Sequence, residues 1–334
     1  MKKKLKVKRC NILVNGLLYS GSGAIVDLLK EYDNIHVINH EFNDFRAPGL
    51  VGDQLNYNSS IDFPNQIYKL TKFRRIIGFV FKSIPKFSWE LYQIKRYGLY
   101  FNFMGTRLYQ LYRLNQLNRC LKSDIPFDVK IQKSNEWIHR IGGIFSINKK
   151  YVLFDQPIML GADINVWTKV FNPYKLIYVY RNPKDQLADI IRSGCLFPPF
   201  GAPFINLAGI TLETIYGRDR KGAIRFHIEA IQKRLEQIGQ LKADLSPENF
   251  LLIDFEGLVN NPETYISVIE NFIPNISDNH KFKYKYFKPS LSRKNISIYK
   301  DYLSIEEMEY LAKADDLYNN MITSSTIGKN TSLK

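Results

Sequence analysis

Five short apolar runs punctuate the chain, at residues 12–15, 35–38, 151–154, 176–180 and 250–253, each bounded by turn or helix signals. Runs of this length read as strands. Between them lie patterns of helical period: Ile25, Leu28, Leu29 and Tyr32 fall at i, i+3, i+4 and i+7, and Ile224, Ile228, Ile231, Leu235 and Ile238 make a longer apolar stripe. Asn261 followed by Pro262 reads as a cap and first helical position, opening a helix through Ile266 and Ile269. Strands alternating with helices predict an α/β fold: a mostly parallel central sheet covered on both faces, hence three layers. No internal repeat or low-complexity tract interrupts the pattern.

The 334 residues suffice for one large α/β core, and a single domain over 1–334 is expected, with residues 56–150 as a helical insertion. Charge marks that insertion. The chain carries 47 Lys and Arg against 32 Asp and Glu, a net +15. Residues 69–122 alone hold twelve of the cations and a single acid, Glu90, interleaved with aromatics such as Phe79, Trp89, Tyr97 and Phe101. Such a surface suits peripheral contact with an anionic membrane, and equally reads as a solvated helical face over an aromatic core; no nucleic-acid partner is expected.

Cys10, Cys120 and Cys195 are too scattered for a disulfide framework, and no Cys/His spacing resembles a metal site. A reducing, cytoplasmic location and no metal follow as expectations. The basic start followed by NILVNGLLYSGSGA has the outline of a secretory signal, but Asn11 and Asn15 break the apolar stretch, and no apolar run is long enough to cross a bilayer.

The segment NILVNGLLYSGSGAIVDLLKEY passes from an apolar strand through Gly16, Ser20, Gly21, Ser22 and Gly23 into an amphipathic helix. Phosphate binding asks for this order. Glycines let backbone amides approach an anion, and the helix N-terminus favours negative charge. The nucleoside-triphosphatase loop GxxxxGK[ST] has Lys and Ser/Thr where this chain has Ser22 and Gly23. A kinase reading is weakened accordingly. A sulfate monoester carries one negative charge where a phosphate monoester carries nearly two, so a sulfuryl donor needs less countercharge and no metal.

Downstream, FNPYKLIYVYRNPKDQLADIIRSG runs a strand into Arg181, Asn182 and Pro183 and then a helix. Here the sequence resembles the sulfotransferase superfamily, in particular its carbohydrate-modifying and bacterial branches, whose corresponding strand ends in Arg-Asp-Pro. LLIDFEGLVNNPE and SRKNISIYKDYLS are similar to two further segments of that family, in the same order. The resemblance covers residues 10–45 and 150–305 and leaves the basic insertion unmatched.

It implies a P-loop-like fold and sulfuryl transfer from 3'-phosphoadenosine-5'-phosphosulfate (PAPS), a co-substrate, to a hydroxyl of a glycan or glycolipid. It implies PAPS binding by Ser20, Gly21, Ser22 and Gly23, by Arg181 toward the 3'-phosphate, and by Ser193, Arg293 and Lys294. Glu41 stands at the spacing of the family's general base, with His40 second. Three positions depart from the family: Tyr19 replaces a cation in the donor loop, Gln156 a lysine, and Asp189 a serine eight residues after Arg181. Asp189 is expected to turn away and pair with Arg192, three residues on along one predicted helix, or with Arg181; otherwise Ser193 takes over the 3'-phosphate contact or the donor lacks that phosphate. These departures keep open a catalytically silent nucleotide-binding or membrane-associated scaffold. In another reading Arg181 merely pairs with Asp185, Glu41 with Arg46, and Arg293 and Lys294 lie on an ordinary solvated surface.

Overall fold

A computed structural model describes residues 9–16, 19–42, 45, 51–55, 112–145, 149–158, 163–196 and 219–324. Five strands form the sheet: β1 (Cys10–Gly16), β2 (Ile35–Glu41), β3 (Tyr151–Asp155), β4 (Tyr174–Tyr180) and β5 (Phe250–Asp254). Their order is β2-β3-β1-β4-β5, with every neighbouring pair parallel. All five apolar runs are strands, longer than the sequence pattern marks them by up to three residues at an end.

The period of two along each strand separates two cores. Leu13, Val152, Phe154, Leu176, Tyr178 and Tyr180 face one layer of helices. Ile12, Val14, Leu153, Ile177, Val179 and Ile253 face the other. The first layer includes α2 (Phe127–Phe145), α3 (Ile164–Phe171), α5 (Arg220–Asp244) and α8 (Ala312–Ser324). The second comprises α1 (Ser22–Leu29), α6 (Phe255–Asn260) and α7 (Pro262–Phe272). Burial on both faces explains why these strands read as continuous apolar runs.

Between β4 and α5 lies α4 (Pro183–Arg192), which starts at Asn182 because the Asn182 side chain accepts the amides of Lys184 and Asp185 and Pro183 needs no donor. The Asp219 carboxylate caps α5 in the same way, on Lys221 and Gly222. Ile224, Ile228, Ile231, Leu235 and Ile238 are all buried, as the stripe predicts, and burying each contributes about 1.5–3 kcal/mol. Asn261 does stand before Pro262 at the start of α7, but its side chain makes no capping bond.

The two asparagines of β1 are buried and satisfied. Asn11 donates to the Phe171 carbonyl at 2.7 Å, and Asn15 exchanges two bonds with the backbone of Ile158, at 2.9 and 3.0 Å. Within the insertion, residues 112–121 and α2 are helical, whereas 56–111 and 146–148 lie outside the described residues. Most of the basic stretch 69–122 is therefore not described. No helix among the described residues is long and apolar enough to cross a membrane.

Candidate functional site

The phosphate-loop segment sits at the carboxyl end of β1, where connections leave toward β2 on one side and β4 on the other, the usual ligand crevice of an open α/β sheet. Tyr19 and Gly21 adopt left-handed backbone conformations, φ 60° and 87°, so the chain turns sharply into α1. A Cβ on Gly21 would stand 2.1 Å from the Phe255 ring, and one on Gly16 would stand 2.1 Å from Ser20 Oγ. Only glycine fits at either position. The Ser20 hydroxyl is buried and has no hydrogen-bond partner among the described residues. Such an orphan beside a helix N-terminus is a donor waiting for an acceptor. Gly23 lies in the first turn of α1.

Gln156 closes this loop. It follows β3 with φ 56°, accepts the Gly16 amide on Oε1 at 3.2 Å and donates from Nε2 to Ser22 Oγ. One neutral side chain thereby ties both ends of the loop.

At the end of β4, Arg181 is 2% exposed and joins three segments. Nη1 donates to the Tyr19 carbonyl at 2.8 Å and to Asp189 Oδ2 at 2.7 Å, Nη2 donates to the Asn295 carbonyl, and the guanidinium stacks on Phe255. Asp189 also accepts from Arg192 at 2.6 Å, which in turn reaches Asn295 Oδ1 at 2.8 Å. Asp189 thus pairs with Arg192, as their spacing predicts, and with Arg181 as well. Asp185 is not the partner of Arg181: it accepts the amides of Ser297 and Tyr299, holding the C-terminal segment against α4. Both Nη groups of Arg181 meet protein oxygens, so a 3'-phosphate there has to compete with Asp189. Ser193 ends α4 as its C-cap, next to Cys195, whose sulfur accepts from the Tyr19 hydroxyl at 3.0 Å. Burial, and then the Cys195 contact, push the Tyr19 phenol up to about 12.

Beneath Arg181 lies an acid pair. Glu256 Oε1 is 3.9 Å from Arg181 Nε and accepts the Asn182 amide, while Asp254 caps α6 through the Gly257 amide at 2.6 Å. The Tyr318 hydroxyl, from α8, stands 3.2 Å from Asp254 Oδ1 and 3.0 Å from Glu256 Oε2. Burial and the neighbouring Asp254 charge push the Glu256 carboxyl up to about 8, and burial raises Asp254 too.

His40 and Glu41 end β2, and Glu41 is in register with Asp155 on β3. Phe42 donates its amide to the Asp155 carbonyl at 2.7 Å, and Asp155 is 1% exposed. The backbone therefore places Glu41 at the same carboxyl edge as the loop; Arg46 lies outside the described residues. Arg293 and Lys294 are exposed, and Arg293 donates to the Val259 carbonyl at 3.3 Å. The edge of the sheet thus gathers Ser20, Gly21, Ser22, Gly23, Arg181, Ser193 and the backbone of Glu41; Arg293 and Lys294 precede Asn295 in the chain, but of the three it is Asn295 that contacts Arg181.

Sequence reading did not single out Glu256, Asp254, Asn295 or Arg234. A signal existed for two of them: Asp254 ends an apolar run and Glu256 stands in the first turn of the helix that follows, the same strand-to-helix arrangement that pointed to Arg181.

No protein-family model matches this sequence, and no curated protein matches it. In structure the chain resembles solved sulfotransferases. One is the sulfotransferase domain from the curacin biosynthetic pathway, with 13% identity and a TM-score of 0.45, covering 98% of both chains. A second is the sulfotransferase domain from the Synechococcus PCC 7002 olefin synthase, with 12% identity and a TM-score of 0.41, covering 93% of this chain and 94% of that one. Retinol dehydratase, solved in complex with androsterone and inactive cofactor PAP, has 13% identity and a TM-score of 0.41, covering 95% of this chain and 81% of its own.

Proposed function

We propose that this chain is a sulfotransferase that moves a sulfuryl group from PAPS to a hydroxyl of a glycan or glycolipid. The observation that carries the reading is the loop at the end of β1: left-handed at Tyr19 and Gly21, it leaves the buried Ser20 hydroxyl unpartnered beside the N-terminus of α1. From Gly16 to Gly23 the loop contains no Lys or Arg, and Gly23 stands where a magnesium-binding hydroxyl would follow the lysine. That suits a singly charged sulfuryl group better than a triphosphate. Ser20, Gly21, Ser22 and Gly23 would hold the donor's 5' side, and Arg181, Ser193, Arg293 and Lys294 its 3' side.

Glu41 is the proposed general base, with His40 as the second choice. It would take the proton of the acceptor hydroxyl as the new O–S bond forms and the bond to the departing 3',5'-bisphosphate breaks. We place the protein in the cytoplasm, with residues 69–122 in peripheral contact with anionic membrane.

The test is transfer of labelled sulfate from PAPS to a panel of glycans and glycolipids without added metal, by wild type and Glu41→Gln. Transfer by the wild type, reduced about a hundredfold or more in the variant, supports the assignment. Full activity in the variant moves the base elsewhere. Absence of transfer, with adenosine 3',5'-bisphosphate still bound, leaves the second reading: a silent nucleotide-binding scaffold. That reading is favoured by one observation, the Asp189 carboxylate occupying Arg181 where an active site would keep a donor.

A further inference from the structure

Residues 281–300 hold seven Lys and Arg and no Asp or Glu. The first eight, KFKYKYFK, alternate cations with aromatics, yet they do not sort onto a wet and a dry face. Lys281 to Tyr286 are all exposed, and only Phe287 is buried, in the core layer that holds α1. Phe282 and Tyr286 are each 41% exposed. Leu291, whose amide donates to the Lys288 carbonyl at 3.0 Å, is 57% exposed. Apolar side chains left out as a group, with cations around them, mark a contact surface; single ones do not.

The backbone explains why the rings stay outside. Glu31, fully buried just past α1, accepts the amides of Tyr284, Tyr286 and Phe287 at 3.0, 2.8 and 2.9 Å, and His280 Nε2 lies 2.9 Å from it. Tyr284 takes φ 61°, a left-handed conformation uncommon for a bulky side chain. The segment is thus pinned from within by its own amides and by Phe287, and its rings are held outward.

Its charges divide into two sets. Lys281 pairs with Asp33 at 2.6 Å and Lys283 with Glu263 at 2.7 Å, and Glu263 also accepts the Tyr284 hydroxyl. Lys285 and Lys288 have no carboxylate partner among the described residues. The Lys285 ammonium stands 4.7 Å from the centre of the Phe282 ring and 5.2 Å from that of Tyr286, so two exposed rings and one unpaired cation form a single cluster. With three amides and the Tyr284 hydroxyl already engaged, the segment offers a partner mainly ring surface, an aliphatic side chain and ammonium groups. Sugar hydroxyls ask for neutral hydrogen-bond partners. A bilayer interface asks for amphipathic rings at headgroup depth and for lysines beside anionic headgroups.

We infer that residues 281–291 dock on an anionic lipid surface, with Phe282 and Tyr286 entering the interface while Lys285 and Lys288 meet the headgroups. The inference is independent of sulfuryl transfer and of the contact proposed for residues 69–122.

The test sediments the full chain with vesicles of phosphatidylcholine, with and without phosphatidylserine, as wild type, Phe282→Ser/Tyr286→Ser and Lys285→Gln/Lys288→Gln. These side chains lie outside the core, so both variants should melt as the wild type does. The lysine variant should bind phosphatidylserine vesicles about tenfold or more weakly, the scale for two lysines leaving such a surface, and the ring variant should bind more weakly as well. Phe282→Trp reports depth: fluorescence quenched by acyl chains carrying bromine, beyond the quenching of the wild type, supports entry of the ring. Three results overturn the inference. A wild type that ignores phosphatidylserine does so outright. Variants that bind vesicles as the wild type does leave any membrane contact to residues 69–122. Variants that lose heparin binding but keep vesicle binding, or a vesicle-bound Phe282→Trp that is not quenched, make the surface one for a polyanionic glycan or for solvent instead.

Discussion

Replacing Asp189 with serine separates what this residue does for the fold from what it does to the ligand. Its side chain is 8% exposed and lies 2.7 Å from Arg181 and 2.6 Å from Arg192. A serine reaches neither guanidinium. Breaking a buried pair by removing one partner costs about 3–5 kcal/mol. The lower end applies here, because Arg192, 35% exposed, can return to water. About 3 kcal/mol corresponds to a fall in Tm of about 6 °C at about 2 °C per kcal/mol for a large domain. The effect on a 3'-phosphorylated nucleotide has the opposite sign. With the 3'-phosphate placed as proposed, it would face a carboxylate in the wild type, and like charges about 4 Å apart cost around 4 kcal/mol at an effective dielectric of 20. Asp189→Ser should therefore bind adenosine 3',5'-bisphosphate about tenfold or more tightly than wild type, and saturating ligand should recover most of the lost Tm. Differential scanning fluorimetry and calorimetry with this nucleotide and with 5'-AMP measure both effects. An unchanged Tm without ligand would show that Asp189 is not holding Arg181. Equal affinity of variant and wild type for the bisphosphate would refute the placement of the 3'-phosphate beside Arg181.

Glu31 is fully buried and accepts from His280 and from the amides of Tyr284, Tyr286 and Phe287 at 2.8 to 3.0 Å, so Glu31→Ala should cost about 3–5 kcal/mol in urea unfolding and loosen residues 280–296 to hydrogen exchange before the sheet. Gly21→Ala forces a Cβ into the Phe255 ring at φ 87° and should destabilise by about 1–3 kcal/mol while weakening nucleotide binding; a neutral variant would mean that the loop repacks. Glu256 has its folded-state pKa raised to about 8 from 4.5, so the folded state holds a proton that the unfolded chain has lost between those values. Stability should fall as pH rises through that window, and the Tm of Glu256→Gln should fall less; parallel Tm profiles for the two proteins would contradict this.

The layered fold was legible in the sequence because its causes are local. A period of two along the strands and of 3.6 along the helices decides which side chains can share a face, so the five strands and the α5 stripe could be read without any partner in view. The sharp turn after β1 was legible for the same reason: glycines between a strand and a helix state a backbone requirement, which Gly16 and Gly21 meet. The pairing of Asp189 with Arg192 needed only the geometry of one helix.

What tertiary structure alone decided was the state of the charges. Arg181 looked like a ligand-facing cation, but its exposure depends on the Asn295 carbonyl, 114 residues away, closing over it. Glu31 is an unremarkable acid at the end of a helical pattern until the amide of Phe287, 256 residues on, turns toward it. Arg234 falls on the buried face of α5, where period predicts an apolar residue, and only the fold shows the Tyr178 ring and the Gln237 amide that its guanidinium meets there. The cost of burying a charge is set by whatever stands within a few ångströms, and those neighbours come from distant parts of the chain.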